Sequence, residues 1–123
     1  MKATELMIGD WVGRVFDDKR IDYRQVDWIR TGEIGMRYQK VWAIGCIEPI
    51  PLTPEILEKN GWKHRALFVD MEVDKNIKFS WTDMFGVSLY HNGHYMCDCK
   101  YVHTLQHALR LCGLNKLAEN FKV

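Results

Sequence analysis

Histidines and cysteines near the C-terminus are the residues of this sequence that could most readily bind a metal ion. They occupy a short span: His91, His94, Cys97, Cys99, His103 and His107. On a helix, His103 and His107 would lie one turn apart, at a spacing that can ligate zinc. Against this, Cys97 and Cys99 fall at apolar positions of an alternating strand, where cysteine packs as a small hydrophobic residue. We predict no metal and no cofactor, and keep zinc on Cys97, Cys99, His103 and His107 as an alternative.

Three carboxylates alternate with apolar residues in one predicted strand: Asp70, Glu72 and Asp74. Such a row could hold a hard cation. If a three-residue loop follows, however, Lys78 lies opposite Glu72 and Ser80 opposite Asp70. That pairing is typical of a solvent-facing strand surface with a cross-strand charge pair. We therefore interpret the row as scaffold.

Nucleophilic catalysis has little support. Ser80 and Ser88 fall inside predicted strands and lack the strained turn of a hydrolase serine. No local pattern marks any of the four cysteines as activated, and no glycine-rich phosphate loop is present. These absences predict a protein that is not an enzyme.

Aromatic and basic residues of the N-terminal half are the remaining candidates for a binding surface: Trp11, Arg14, Trp28, Arg37 and Trp42. Tryptophans that share an exposed face with arginines could stack on bases or bind a peptide. The alternative is that the aromatic rings fill a small core.

Composition bounds these possibilities. The chain has 123 residues and a net charge of +1, with −1 over residues 1–61 and +2 over residues 62–123. Without a basic stripe, neither nucleic acid nor an anionic membrane surface gains electrostatic support. The N-terminus lacks the apolar run of a signal peptide and no segment is long enough to span a bilayer, so we expect a cytoplasmic protein with reduced thiols.

The N-terminal half predicts several short strands. Residues 11–16, 23–29 and 36–44 are rich in aromatic and β-branched residues, and residues 46–50 form a short extended piece. Period-two spacing places Val26 and Trp28 on one face, and Tyr38, Trp42 and Ile44 on another. This pattern predicts an SH3-like barrel or a curled antiparallel sheet.

A short helix should link the two halves. Thr53 can cap it, Pro54 suits its first position, and Asn60-Gly61 ends it. We expect a single domain with lobes at residues 1–52 and 62–123, joined by residues 53–61.

The second half predicts a four-stranded antiparallel meander closed by one helix, and hence an α+β fold. Its apolar residues occupy odd positions in segments 69–73, 77–81, 85–89 and 95–101. Keeping odd residues opposite odd residues requires odd loop lengths. We therefore predict three-residue loops at residues 74–76 and 91–93, the latter pairing Leu89 with Tyr95 and Val87 with Cys97.

The closing helix is predicted over residues 102–112. Its apolar stripe comprises Val102, Leu105, Leu109 and Cys112, with Ala108 beside it. Gly113 should end it in a Schellman motif with Leu114. Residues 115–123 are expected to be loosely held.

Residues 1–12, 47–57 and 101–113 resemble a family of small uncharacterised bacterial proteins associated with prophages and mobile elements of gut anaerobes. The resemblance implies a cytosolic accessory protein and brings no known activity, cofactor or catalytic residue. Our leading hypothesis is a non-enzymatic interaction module that binds a protein partner or itself. A nucleic-acid-associated module and a zinc-stabilised domain are the alternatives.

Overall fold

The chain forms two antiparallel sheets, one in each of two units, Met1–Ile50 and Pro51–Val123. The computed structural model describes residues 5–36, 40–65, 68–72 and 76–123. Helices accompany the second sheet, so the predicted α+β class is confirmed.

The first sheet is a curled antiparallel half-barrel with its strands in chain order. They are β1 (Trp11–Val15), β2 (Ile21–Arg30), β3 (Glu33–Met36) and β4 (Lys40–Ala43). The single strand predicted over residues 36–44 is wrong, because β3 and β4 pair antiparallel with Met36 opposite Lys40. A residue whose partner lies four positions along the chain cannot belong to the same strand.

The shared face predicted for Tyr38, Trp42 and Ile44 is therefore also wrong. Trp42 is buried from β4, whereas Ile44 begins a short 3-10 turn, Ile44–Cys46, and packs against the core from there. Tyr38 lies outside the described residues. Beyond this turn Glu48 forms an antiparallel bridge with Gly13, on the edge of β1 that does not pair with β2.

A β-bulge in β2 overturns the prediction that Val26 and Trp28 share a face. Val26 pairs with Met36, but Trp28 pairs with Gly35, so Asp27 is an extra residue in the strand. Val26 and Met36 are both buried in the core. The indole of Trp28 instead covers the opposite face of β3 at Gly35, where it fills the space that a Cβ would need.

The first unit has a small apolar core built from the inner sheet face and its flanking segments. Its buried members are Leu6, Val12, Val26, Ile34, Met36, Trp42 and Ile47. The strand residues among them all point to one face of the sheet. The residues that alternate with them point to the opposite face, which we call the outer face.

Helix α1 (Pro54–Lys59) begins and ends as predicted. The Thr53 hydroxyl accepts a hydrogen bond from the Ile56 amide at 3.2 Å, and Pro54 occupies the first turn. Asn60 is the C-cap, and Gly61 follows with φ of 85°. The fully buried Leu57 holds this short helix, which could not persist alone, in the second unit.

The second sheet is the predicted meander with one additional strand at its start. Its strands are β5 (Lys63–Arg65), β6 (Phe68–Glu72), β7 (Ile77–Thr82), β8 (Gly86–His91) and β9 (His94–Cys99). The predicted pairs Asp70–Ser80 and Glu72–Lys78 are confirmed. Asp74 and Lys75 of the predicted loop lie outside the described residues.

The three-residue loop predicted at residues 91–93 is wrong. His91 pairs with His94, so the turn is Asn92-Gly93, and both residues have positive φ, 52° and 78°. These angles match the type I′ turn that suits the twist of a hairpin. A bulge between the Tyr90–Tyr95 and Leu89–Cys97 pairs then restores the pairing of odd with odd residues. Leu89 therefore lies opposite Cys97, and Val87 lies opposite Cys99.

Helix α2 (Val102–Leu111) confirms the predicted stripe. Val102, Leu105 and Leu109 have at most 1% of their surface exposed, and α2 contacts β9. The Leu114 amide donates to the Leu109 carbonyl at 2.9 Å and the Gly113 amide to the Arg110 carbonyl at 3.0 Å. These two bonds form the predicted Schellman motif.

The tail is not loosely held, contrary to prediction. Residues 115–119 form helix α3 (Asn115–Glu119), and Ala118 and Phe121 are buried. The buried amide of Gln106 donates to the Ala118 carbonyl at 2.9 Å. The segment has apolar residues at helical spacing, and two of them, Ala118 and Phe121, are the ones that pack in the interior, whereas Leu117 is 42% exposed.

None of the helices in the described part of the chain has the length and apolar character needed to cross a bilayer.

Two leucines of α2 allow a matched test of this packing. Leu109 has 1% of its surface exposed and Leu111 has 89%. We expect Leu109→Ala to lower the free energy of unfolding by about 2–5 kcal/mol, because it removes buried methyl groups and leaves a cavity. Leu111→Ala should change it by less than about 0.5 kcal/mol. Urea unfolding followed by circular dichroism measures both, and equal losses would show that the stripe is not the core face.

Candidate functional site

The β1–β2 hairpin carries exposed apolar side chains on its outer face. Val15 and Ile21 are direct cross-strand partners, and each has 51% of its surface exposed. Tyr23, which is 42% exposed, pairs with Gly13, and its ring packs over this glycine. We call Val15, Ile21 and Tyr23 the hairpin strip.

The turn of the hairpin aligns the strip. The Phe16 amide donates to the Arg20 carbonyl and the Lys19 amide to the Phe16 carbonyl, both at 2.8 Å. Lys19 takes the left-handed conformation with φ of 64°. The Asp18 carboxylate accepts a hydrogen bond from the Arg20 amide at 3.0 Å. These bonds close the turn and so place Val15 opposite Ile21.

Polarity is inverted at this end of the hairpin. The inner face carries Arg14, Asp22 and Arg24, and Arg24 lies 3.3 Å from the Asp22 carboxylate. A strand with one buried face normally alternates apolar residues inward with polar residues outward. Here the charged side chains share the face of buried Val12, and the apolar strip faces solvent.

The structure distributes the sequence-predicted binding residues over different places. Trp11 is half-buried on the outer face, because its neighbour Val12 points into the core. Trp28 is also half-buried on the outer face, where the bulge at Asp27 directs it. Trp42 is 3% exposed in the core and cannot contact a ligand directly. Arg37 lies outside the described residues.

Arginines of this unit stack on its own aromatic rings. The guanidinium carbons of Arg14 and Arg20 lie 4.7 and 4.6 Å from the Phe16 ring centroid, and that of Arg30 lies 4.5 Å from the Trp28 ring. Arg14 lies three positions after Trp11 in β1, so the two side chains are on opposite faces of the sheet. The outer face thus holds two of the predicted tryptophans without Arg14, and the Arg30 guanidinium occupies a surface of the Trp28 ring that a base would need.

Two cysteines of the second unit, Cys99 and Cys112, have a raised pKa. Burial, and after it the neighbouring Cys97 thiol, raise the pKa of Cys99 to about 12. The Cys99 thiol lies 3.7 Å from the Thr104 carbonyl oxygen. Burial also raises the pKa of Cys112, with a smaller contribution from Cys97. Since the thiolate is the nucleophile and the metal ligand, these environments disfavour both roles for Cys99 and Cys112.

The four histidines of the predicted metal cluster occupy two distinct places. His103 and His107 lie one turn apart on α2 as predicted, with ring centroids 5.7 Å apart, and buried His103 stacks on Tyr101. His91 and His94 oppose each other at the exposed end of the β8–β9 hairpin. Among the described residues, no three His, Cys, Asp or Glu side chains are grouped so that they could hold a metal ion.

Sequence reasoning missed the hairpin strip. Val15, Ile21 and Tyr23 are ordinary strand residues by type, and only their exposure distinguishes them. The available signal was parity: Val12 and Val15 lie three apart in one short strand, so a strand that buries Val12 in the core directs Val15 to the opposite face.

No protein-family model, curated protein or solved structure matches this chain. The resemblance to proteins of mobile elements therefore stays a prediction, and function has to be argued from the surfaces themselves.

Thiol exposure predicts an order of reactivity. Cys46 is exposed, whereas Cys99 is buried with a raised pKa. We expect Ellman's reagent to modify Cys46 first and to leave Cys99 unmodified until the protein unfolds. Mass spectrometry of the modified peptides identifies the sites, and Cys46→Ser should remove the fast phase. Early modification of Cys99 would contradict its burial.

The same pKa predicts a dependence of stability on pH. The folded pKa of Cys99, about 12, lies above the ordinary value of 9.0, so the folded chain retains a proton that the unfolded chain loses. The contribution of Cys99 is therefore complete below about pH 9 and is lost as pH rises towards about 12. The stability difference between the protein and its Cys99→Ala variant should shrink over this range, measured by urea unfolding. A constant difference would contradict the shift.

Proposed function

We propose that this chain is a non-enzymatic interaction module that self-associates through the hairpin strip. One observation carries the proposal: the hairpin exposes Val15, Ile21 and Tyr23 on the face opposite Val12, while the charged side chains of its strands occupy the inner face. Exposed apolar surface of this kind is costly in water unless another surface covers it.

The charges around the strip favour a second copy of the chain as its occupant. The turn beside the strip carries two acidic residues, Asp17 and Asp18, and two basic residues, Lys19 and Arg20, so it is neutral with both signs present. In a two-fold pairing each patch meets itself, and a mixture of both signs can then be complementary to its own image.

The same charges weigh against the nucleic-acid alternative. A surface that tracks phosphates needs an excess of Lys and Arg. Here Asp17, Asp18 and Asp22 accompany the arginines, and the Asp22 carboxylate is paired with Arg24. Oligonucleotide binding is accordingly kept as a competing outcome of the experiment below.

The proposal implies a particular interface. Two copies would bury the apolar strip at its centre, and the charged residues of the turn would form a polar rim, as in protein interfaces generally. A hot spot at such a centre is enriched in tyrosine, and Tyr23 is the aromatic member of the strip.

The chain offers a matched pair of valines for the test. Val15 and Val41 each have 51% of their surface exposed on a strand of the same sheet, but only Val15 belongs to the strip. We expect sedimentation equilibrium to show a monomer–dimer equilibrium for the protein over micromolar to millimolar concentrations. Val15→Lys should weaken dimerisation by at least about tenfold, because it buries a charge at the interface. Val41→Lys should leave it unchanged.

Thermal unfolding of both variants verifies that they fold. A protein that stays monomeric over the whole concentration range, or equal weakening by both substitutions, would refute the hairpin interface. Salt-sensitive binding of a single-stranded oligonucleotide that Val15→Lys does not affect would favour the nucleic-acid module instead.

A further inference from the structure

A cavity of about 300 Å³ lies within the second unit, in a region that none of the sequence motifs identifies. Its walls come from the end of α1, from β6, from α2 and from α3 with the following tail. Trp62, Leu109 and Phe121 form its base, and each is at least 95% buried. The half-buried Met71 and the 42%-exposed Leu117 give it accessible apolar surface.

The cavity has a cationic rim. Lys59, Lys116 and Lys122 all line it and are all exposed, and no described residue that lines it is acidic. Three ammonium groups around one apolar cavity create a positive potential at its mouth, because low-dielectric walls focus the field of nearby charges. The charge complementary to this rim is an anion.

Hydrogen bonds of Asn60 hold the backbone at one side of the cavity in position. The Asn60 side-chain amide donates to the Lys122 carbonyl at 2.8 Å, and the Asn60 side-chain oxygen accepts from the Lys122 amide at 2.8 Å. The same amide nitrogen also donates to the Ile56 carbonyl at 2.8 Å. Asn60 thereby joins the end of α1 to the tail, and two of the three lysines lie at or next to this junction. A cavity held in this way loses little conformational entropy on binding.

We propose that this cavity binds a small amphipathic carboxylate, whose apolar group enters the cavity while its carboxylate lies at the rim of Lys59, Lys116 and Lys122. Its volume is at the lower end of the range for small-molecule sites, about 300–1,000 Å³, which fits a single aromatic or short aliphatic group. The apolar base excludes a purely ionic ligand, and the lysines disfavour an apolar cation.

Three probes separate these contributions. Naphthalene-1-acetate carries both features, acetate carries only the anion, and 1-naphthylmethylamine carries the aromatic group with a positive charge. In heteronuclear NMR titrations of the protein we expect saturable shifts at Trp62 and Leu117 for naphthalene-1-acetate. Acetate and the amine should give none. Shifts of equal size with the amine, or none with the carboxylate, would overturn the proposal.

A lysine outside the cavity provides the control variant. Lys116→Glu should weaken naphthalene-1-acetate binding at least about threefold, because an exposed ion pair is replaced by like-charge repulsion. Lys100→Glu alters another exposed lysine of this unit and should leave affinity unchanged. Leu117→Gln tests the apolar wall without a charge change and should also weaken binding. An acidic peptide that shifts Trp62 when the carboxylate does not would assign the cavity to a protein partner and overturn the small-molecule class.

Discussion

The register of β2 against β3 is the constraint on which the first unit depends. Displacing a strand by one residue exchanges its two faces. The extra residue Asp27 therefore reverses which face of the sheet alternate residues of β2 occupy. Before it, Val26 faces the core with Met36, and beyond it Trp28 faces outward over Gly35. The position of Trp28 on the outer face, and its absence from the core, follow from this single insertion.

A glycine opposite the bulge makes the arrangement possible. Any side chain at Gly35 would occupy the space of the Trp28 indole. With that space free, the ring lies over β3 at Gly35, and the Arg30 guanidinium carbon lies 4.5 Å from the ring centroid. Because of the bulge, Trp28 is half-buried on the outer face, and the small core does not have to accommodate its indole.

The bulge between Tyr90 and Leu89 has the same role in the second sheet. The Asn92-Gly93 turn alone would put odd residues opposite even ones, and the extra residue Met96 in β9 corrects this before Cys97. Two local preferences are satisfied together. The type I′ turn suits the twist of the strands, and beyond the bulge Val87 and Leu89 share a face with Cys97 and Cys99. Leu89, Val87 and Cys99 are consequently buried, whereas Met96 is 56% exposed.

These two bulges mark the boundary of what the sequence could predict. The strands of the meander, the caps of α1 and the Schellman motif after α2 were predictable because each depends on residues within a few positions of one another. Bulges have no such local signature, since they are decided by packing against a partner strand. The helix α3 is a different case: its apolar spacing was present, but its short length gave no reason to expect order without the contacts of Gln106 and Asn60.

The candidate surfaces were less predictable than the fold for a related reason. Residue type identified Trp42 as a binding candidate, yet burial removes it, whereas Val15 and Ile21 gain their interest only from exposure. The lysine-rimmed cavity combines residues from 59 to 122, and it exists because the tail returns to Asn60 across 62 positions of sequence. Surfaces of this kind arise from long-range closure, which a single sequence does not display. The apolar hairpin strip of one unit and the lysine-rimmed cavity of the other therefore favour different classes of ligand: a second copy of the protein for the first, and a small anion with an apolar group for the second.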